Sequence, residues 1–475
     1  MPLNNYPKLT EFSLALTAGI LLPLGLPPVD ISFLSLLGAS LLFSRTQLDG
    51  MRSIAIAILG FAFGYTITGQ FWFLCHQILL PQHQSIAETL EIVLQQLLIP
   101  ILSIILILGF YPTCRKVLNL ARFSIGSSIL FACLWVIYEV LYSLIPLTYP
   151  PLLIAGYSTI GFQSDSLFPI MGPFGGSFVL MLAASLLSSL FYQLSKKHPR
   201  HVISLVLTLI LTLITPFLCN HHEWTVSYDK RPFSYAMQTR IDADQVSSSL
   251  NKTLGTVSPK LVIFGNTFSR DVNGNWPKYL SKLDSYSNTA FLARFKSDQK
   301  NCPTYYCTFG EGDGCTCAYD HIPSADVFKA GLPVHNPSTF RHPAVDAYRI
   351  MITGNSDDLT PYFISSKVIG AEAIIVYDVS ISSKVLQDRL LRINQSRALE
   401  TGRPVLRYSE KGVAAEINHR GEVKARYYPE HIFASGSITP MTKPTPFMLL
   451  GPYAPLSVVT LCLVFFAYRR LFHSL

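Results

Sequence analysis

The sequence predicts a polytopic α-helical membrane bundle that carries a separate α/β domain. Three observations lead there. Hydrophobic residues make up 49% of the 475 and charged residues only 14%, where soluble domains carry about 25% charge. Apolar runs near the ~20 residues that a bilayer span needs crowd the N-terminal half and recur once near the end. Between them, from Trp224, the chain turns polar, with Asp, Lys, Ser and Asn throughout. The organisation read from this is a bundle of about seven helices over 1–219, a globular domain over 220–446, and a last span with its tail over 447–475.

The candidate spans, in order, are Phe12 to Leu26, Ile31 to Phe43, Ile54 to Cys75, Ile92 to Tyr111, Ser127 to Ile145, Phe174 to Leu194, Val202 to Leu218 and Met448 to Tyr468. The first two are short and meet at Pro27-Pro28, as a helical hairpin or a tilted pair would. A net charge of +8 would suggest nucleic acid in a soluble protein. Here the cations flank apolar runs, so they report topology, and no nucleic-acid partner is expected. Lys8, Arg45, Arg52, Arg115, Lys116, Arg122, Lys196, Lys197, Arg200, Arg469 and Arg470 all fall on alternate loops or ends. The intervening loops, Pro27-Asp30, His76-Glu88 and Pro146-Met171, hold no Lys or Arg. By the positive-inside rule both termini are cytoplasmic and the region from Asn220 to Pro446 lies outside, in the periplasm of a Gram-negative cell.

Within the spans, Glu139 is an ionisable residue in an apolar setting, which is costly and points to function. It reads equally as a carboxylate at the membrane surface or one hydrogen-bonded inside the bundle. Gly60, Gly64 and Gly69, ahead of Trp72, have the spacing of a helix-packing surface.

In the polar region strand-like and helix-like runs alternate, which predicts an α/β domain. Strands are read at Phe233 to Ile241, Lys260 to Phe264, Tyr348 to Thr353 and Ala373 to Tyr377, and a helix at Asp242 to Leu254. From Leu386, apolar residues recur at helical spacing through Leu390, Leu391, Ile393, Ala398 and Leu399. Gly402 stops that helix and Pro404 cannot continue it. Pro404 to Tyr408 and Gly412 to Ile417 read as strands, with a turn at Asn418-His419-Arg420-Gly421.

The block Arg397-Ala398-Leu399-Glu400, Gly402-Arg403-Pro404, Leu406-Arg407 and onward to Gly421-Glu422 resembles the last characteristic block of the apolipoprotein N-acyltransferase family. Those are membrane proteins that add the third acyl chain to bacterial lipoproteins. Trp135 and Glu139, followed by Tyr149-Pro150 and Ala155-Gly156-Tyr157, resemble a second part of that family. Gly172-Pro173-Phe174-Gly175-Gly176 resembles a third. The resemblance implies a nitrilase-like αββα sandwich for the outer domain, an inner-membrane location, and phospholipid and lipoprotein as partners. It implies no cofactor and no metal.

The family's chemistry uses a Cys nucleophile, a Glu base and a Lys that stabilises the oxyanion. At the corresponding positions this chain holds other residues. Asn266, after Leu261 to Gly265, stands where the base should be, and its amide accepts no proton at useful pH. Phe309-Gly310-Glu311 matches the family's accessory carboxylate, Glu311. The Lys that precedes that Glu by eight residues in the family is Pro303 here. Thr353, after Ile350 to Ile352, stands at the nucleophile's place, and a Thr hydroxyl without a base attacks poorly. The pocket-shaping Ser-Asn-Asp motif is replaced by Tyr377-Asp378-Val379-Ser380. The expectation is a member with a degenerate triad. It would bind lipoprotein or phospholipid, with a possible protein partner in the envelope. The alternative is an active acyltransferase with a non-standard nucleophile.

Cys302, Cys307, Cys315 and Cys317 surround Glu311. Their spacing fits zinc knuckles poorly. Disulfides clamping a loop in an oxidising compartment are the preferred reading, with Cys315 and Cys317 each bonding Cys302 or Cys307. A reactive thiol with Glu311 as base is the third reading. His342 reads as a surface residue. Arg397 and Arg403 are expected with Trp135, Glu139 and Tyr157 at a lipid or substrate cleft, or else solvated or paired with Glu400.

Overall fold

In the computed structural model of the protein, the described residues are 7–79, 86–144, 153–219, 222–227, 232–238, 259–269, 289–296, 305–309, 316–319, 339–340, 349–353, 368–378, 384–409, 412–428 and 433–473. The chain forms two compact units, Met1–Glu223 together with Leu450–Leu475, and Trp224–Leu449.

The described helices are α1 Pro7–Leu21, α2 Ser32–Thr46, α3 Met51–Leu79, α4 Ile86–Gly109, α5 Tyr111–Val117, α6 Ile125–Leu144, α7 Phe168–Met171, α8 Pro173–Ser195, α9 Pro199–Cys219, α10 Lys384–Thr401, α11 Pro446–Leu450 and α12 Tyr453–His473. All but α10 and α11 belong to the first unit. Among the described residues, five stretches are long and apolar enough to cross a membrane: Met51–Gln70, Leu97–Val117, Ile125–Ser143, Pro173–Ser195 and Pro199–Cys219. The two short spans expected first are α1 and α2, at 15 residues each. That is about 22 Å of helix, less than a ~30 Å hydrocarbon core. The expected last span is α12, 21 residues whose end carries Arg469 and Arg470.

Glycine sets the closest helix contact. A Cβ on Gly60 would lie 2.8 Å from the Phe12 carbonyl oxygen, and one on Gly64 would run into the Leu16 carbonyl. The glycine stripe of α3 is therefore the surface on which α1 lies.

The second unit is a two-sheet sandwich. One six-stranded sheet has the order β13-β2-β3-β4-β5-β6, and the other β12-β11-β10-β9-β8-β7. The strands of the first are β2 Phe233–Gln238, β3 Leu261–Ser269, β4 Ala290–Lys296, β5 Tyr305–Phe309, β6 Thr316–Tyr319 and β13 Phe433–Ile438. Those of the second are β7 Thr339–Phe340, β8 Ile350–Thr353, β9 Ala373–Asp378, β10 Val405–Ser409, β11 Ala414–Ile417 and β12 Val423–Tyr427. Strands β1 Val226–Ser227 and β14 Met441–Thr442 form a separate pair. Alternate residues of both sheets share one core. Tyr235, Leu261, Ile263 and Leu292 come from the first, and Ile350, Ile352, Ile375, Tyr377 and Leu406 from the second. The intervening residues Val262, Met351, Ile374, Val376 and Val405 are buried too. These strands bury both faces, as central parallel strands do, and so read as continuous apolar runs. Helix α10 packs on β10 and β11. Gly402 ends it at φ +59°, where a Cβ would also strike Thr225. The turn after β11 is held by Asn418, whose side-chain oxygen accepts from the N–H groups of Arg420 and Glu422.

Candidate functional site

Strands β2, β3 and β4 run parallel to one another in one sheet, as do β8, β9 and β10 in the other. In parallel α/β sheets ligands gather at the carboxyl ends of the strands. Asn266 lies near that end of β3 and Thr353 at that end of β8. The register of β3 on β4 shifts between Ile263 and Thr267, so that four steps along β3 match two along β4, from Leu292 to Arg294. Asn266 therefore sits in a bulge, a feature common beside active sites. Thr353 pairs with Val376. The next residue, Tyr377, donates its hydroxyl hydrogen to the Phe264 carbonyl across the sandwich. This tie joins the middle of β3 to the carboxyl end of β9 across the sandwich. Tyr377 also packs on Tyr408, with ring centroids 4.8 Å apart.

Pro303, Glu311, Cys302 and Cys315 lie outside the described residues. Cys307 and Cys317 sit directly opposite each other in the β5–β6 register.

Arg397 and Arg403 are not on a surface. Arg397 is fully buried and ion-paired with Glu400, which also accepts from the Ser396 hydroxyl. Arg403 is buried and donates to the carbonyls of Ala371, at 2.6 Å, and Thr442, at 3.2 Å. Both guanidiniums brace the turn from α10 into β10, which replaces the solvated reading and leaves neither presented to a lipid headgroup. Burial pushes the Glu400 carboxyl up to about 7 against the pull of Arg397, and brings Arg403 down to about 10. Across the sandwich, Tyr235 of β2 donates to Glu416 of β11 at 2.8 Å, and burial raises that carboxyl as well.

In the helical unit the structure joins three residues that the sequence grouped. The Trp135 indole N–H donates to Glu139 Oε1 at 2.8 Å, and the Ala155 N–H donates to the same oxygen at 2.7 Å. Ala155 opens a 3-10 turn, Ala155–Thr159, that contains buried Tyr157. The Gly156 N–H donates to Ser177 on α8, and a Cβ on Gly156 would lie 2.9 Å from the Pro173 carbonyl carbon. The Gly-Tyr and Gly-rich motifs are thus two sides of one contact. Of the two readings of Glu139, the structure gives the carboxylate hydrogen-bonded inside the bundle. Sequence reasoning missed the Tyr377–Phe264 tie and the bulge in β3. No residue type in β3 signals either one, because both depend on the facing sheet or the neighbouring strand.

Residues 18–186 match the family described as apolipoprotein N-acyltransferase N-terminal domain. Over nearly its whole length the chain is similar to curated apolipoprotein N-acyltransferases. That of Azotobacter vinelandii is 26% identical over 94% of this chain and 93% of its own. That of Pseudomonas aeruginosa strain LESB58 is 24% identical over 92% and 91%, and that of Coxiella burnetii is 23% identical over 95% and 98%. Among solved structures, Saccharomyces cerevisiae Nit3, a member of branch 10 of the nitrilase superfamily, aligns at 11% identity and a TM-score of 0.35, over 46% of this chain and 93% of its own. A carbon-nitrogen hydrolase from Helicobacter pylori G27 aligns at 13% identity and a TM-score of 0.32, over 44% and 89%.

Proposed function

We propose, from the premise that this chain belongs to the apolipoprotein N-acyltransferase family, that it serves lipoprotein maturation or envelope assembly without transferring an acyl group. It is a multi-pass protein of the bacterial inner membrane, with both termini in the cytoplasm and the two-sheet unit in the periplasm. The alternation of Lys- and Arg-bearing loops supports that orientation. It binds a lipoprotein or phospholipid, and a protein partner in the envelope fits this role.

One observation carries the reading. Asn266 lies in the bulge of β3, two residues after the Phe264 that Tyr377 ties across the sandwich, and Thr353 ends β8 beside Val376, the residue before Tyr377. Neither residue type can act there as the family's pair does. An amide does not take the proton that a nucleophile must lose, and an unassisted hydroxyl is a weak nucleophile. A second reading keeps acyl transfer on a thiol of the cysteine cluster. The β5–β6 register, with Cys307 facing Cys317, is the observation that favours it.

The purified protein, mixed with phospholipid, is expected to form no hydroxylamine-labile acyl adduct, and it should not support growth of a strain lacking the true acyltransferase. The doubly substituted chain, Thr353→Cys with Asn266→Glu, is the companion. An adduct on the unaltered protein would overturn the silent reading. Loss of that adduct in Cys307→Ser or Cys317→Ser would establish the second reading.

A further inference from the structure

A buried cation without an anion closes the apolar stretch Leu97–Val117. Arg115 stands in the last turn of that stretch, on α5, and is only 5% exposed. Its Nη1 donates to Gln47 Oε1 at 2.9 Å. Gln47 is neutral and is itself held in place. Its Nε2 donates to the Tyr111 hydroxyl at 2.5 Å, and that hydroxyl donates to the Ser127 carbonyl at 3.3 Å. Among the described residues no other group accepts from the Arg115 guanidinium, and no carboxylate pairs with it. Nε and Nη2 are not among the atoms sealed in the interior without a partner, so their N–H groups are open to a ligand.

The acids near it are taken. Asp49 pairs with Arg122, and Glu11 with Arg45 at 3.0 Å. Gln47 and Asp49 stand two residues apart in the turn after α2. Their bonds to Arg115 and Arg122 stitch that turn to the one after α5, which the Leu120 N–H closes on the Arg115 carbonyl at 3.0 Å. The two guanidiniums are close enough that Arg122 and Asp49 both act on the charge of Arg115. Two cations share one carboxylate, and one positive charge is left over. A buried charge is costly unless an opposite charge meets it.

The chain leading up to Arg115 marks the ligand. Leu98, Leu102, Leu106 and Phe110 recur every four residues along α4 and at the cap of α5, and all four are exposed. On a membrane span such a stripe lies against acyl chains. A stretch of 21 residues is about 31 Å long, so its last turn emerges at headgroup depth. We propose that Arg115, with Arg122 beside it, is a binding site for the phosphate of an anionic phospholipid whose acyl chain lies along the stripe from Leu98 to Phe110. The free Nε and Nη2 of Arg115 form the planar fork that matches two phosphate oxygens. Gln47 fixes the plane of that fork before a lipid arrives. The site belongs to the helical unit alone and stands whether or not the chain transfers an acyl group.

The test is native mass spectrometry of the full chain in detergent, titrated with phosphatidylglycerol. Parallel arms use diacylglycerol with the same chains and glycerol phosphate without chains. Phosphatidylglycerol should bind, and the other two should not at equal concentration. Equal binding of glycerol phosphate would reveal a site for a free anion and overturn the proposal, and equal binding of diacylglycerol would overturn it too. Arg115→Gln should weaken phosphatidylglycerol binding roughly tenfold or more, as loss of hydrogen bonds to a charged group does. Lys197→Gln, which removes an exposed charge from another loop of the bundle, should change it less than about twofold. The same affinity in both variants refutes the site. Should Arg115→Gln not fold, Asp49→Asn decides. It removes an exposed, competing carboxylate and should tighten phosphatidylglycerol binding, whereas unchanged or weaker binding refutes the site.

Discussion

Replacing Glu400 with Gln should remove a pH dependence from the stability of the α10–β10 region. Glu400 is fully buried, paired with Arg397, and raised by burial from an ordinary 4.5 to about 7. A carboxyl raised on folding holds a proton in the folded chain that the unfolded chain has lost. Its stabilisation is therefore fully present below pH 4.5 and disappears as pH rises through 7. At about 1.4 kcal/mol for each tenfold, the rise from 4.5 to about 7 gives about 3.5 kcal/mol between those limits, roughly a three-hundredfold change in local opening. Gln keeps the shape but does not titrate. It resembles the protonated carboxyl that the native protein holds at pH 5, so the two proteins should have similar stability there. The Glu416 carboxyl is raised by burial as well and contributes a slope of the same sign, but it is present in both proteins and cancels in the comparison. Hydrogen exchange of peptides covering 384–409 reads the difference, measured from pH 5 to 8 on the detergent-solubilised chain and corrected for intrinsic rates. Protection should fall with rising pH more steeply in the native protein than in Glu400→Gln, which keeps only the slope from Glu416. The same slope in both would refute the assignment of a buried, protonatable carboxylate.

Gly64→Leu should drive a side chain into the backbone of α1 at Leu16 and cost about 1–3 kcal/mol or more, read as a lower midpoint in SDS titration. Glu139→Ala should strand the Trp135 indole N–H and the Ala155 N–H, at about 1–3 kcal/mol for each orphaned donor. Glu139→Gln, which keeps an acceptor, should recover most of that loss in the same assay. Gly402→Ala, at φ +59° and against Thr225, should cost about 1–2 kcal/mol from the left-handed backbone alone and loosen hydrogen exchange at the start of β10.

Much of the element pattern was legible in the chain. The helix from Leu386, its stop at Gly402, the strand after Pro404 and the turn at Asn418 all appear within two or three residues of where they were read. The strands near Phe233, Lys260, Tyr348 and Ala373 are β2, β3, β8 and β9. The helix read at Asp242 to Leu254 lies outside the described residues. The sequence reading contains no strand at β1, β4, β5, β6, β7, β12, β13 or β14. Strand β13 finds its partner β2 some 200 residues earlier, a pairing that no local signal carries.

Arg397 and Arg403 show where sequence reasoning about a site stops. A helix face of Arg, Glu and Ser looks the same in sequence whether water or protein covers it. Here a buried ion pair and two backbone carbonyls take the place of solvent. Asn266 and Thr353 are the converse. Their identities, and the chemistry those identities forbid, were plain from the sequence. The bulge around Asn266 and the tyrosine reaching across to Phe264 from the facing sheet appear only in the fold.

The amino-acid order by itself settled which stretches are apolar helices and where the polar, strand-bearing unit begins. It could do so because periodicity, composition and residue chemistry are local properties. The partner of each buried charge, and which strand ends face each other, were decided only when residues far apart in the chain packed together. A hydrogen bond or an ion pair exists only at contact distance, and only the folded chain sets those distances.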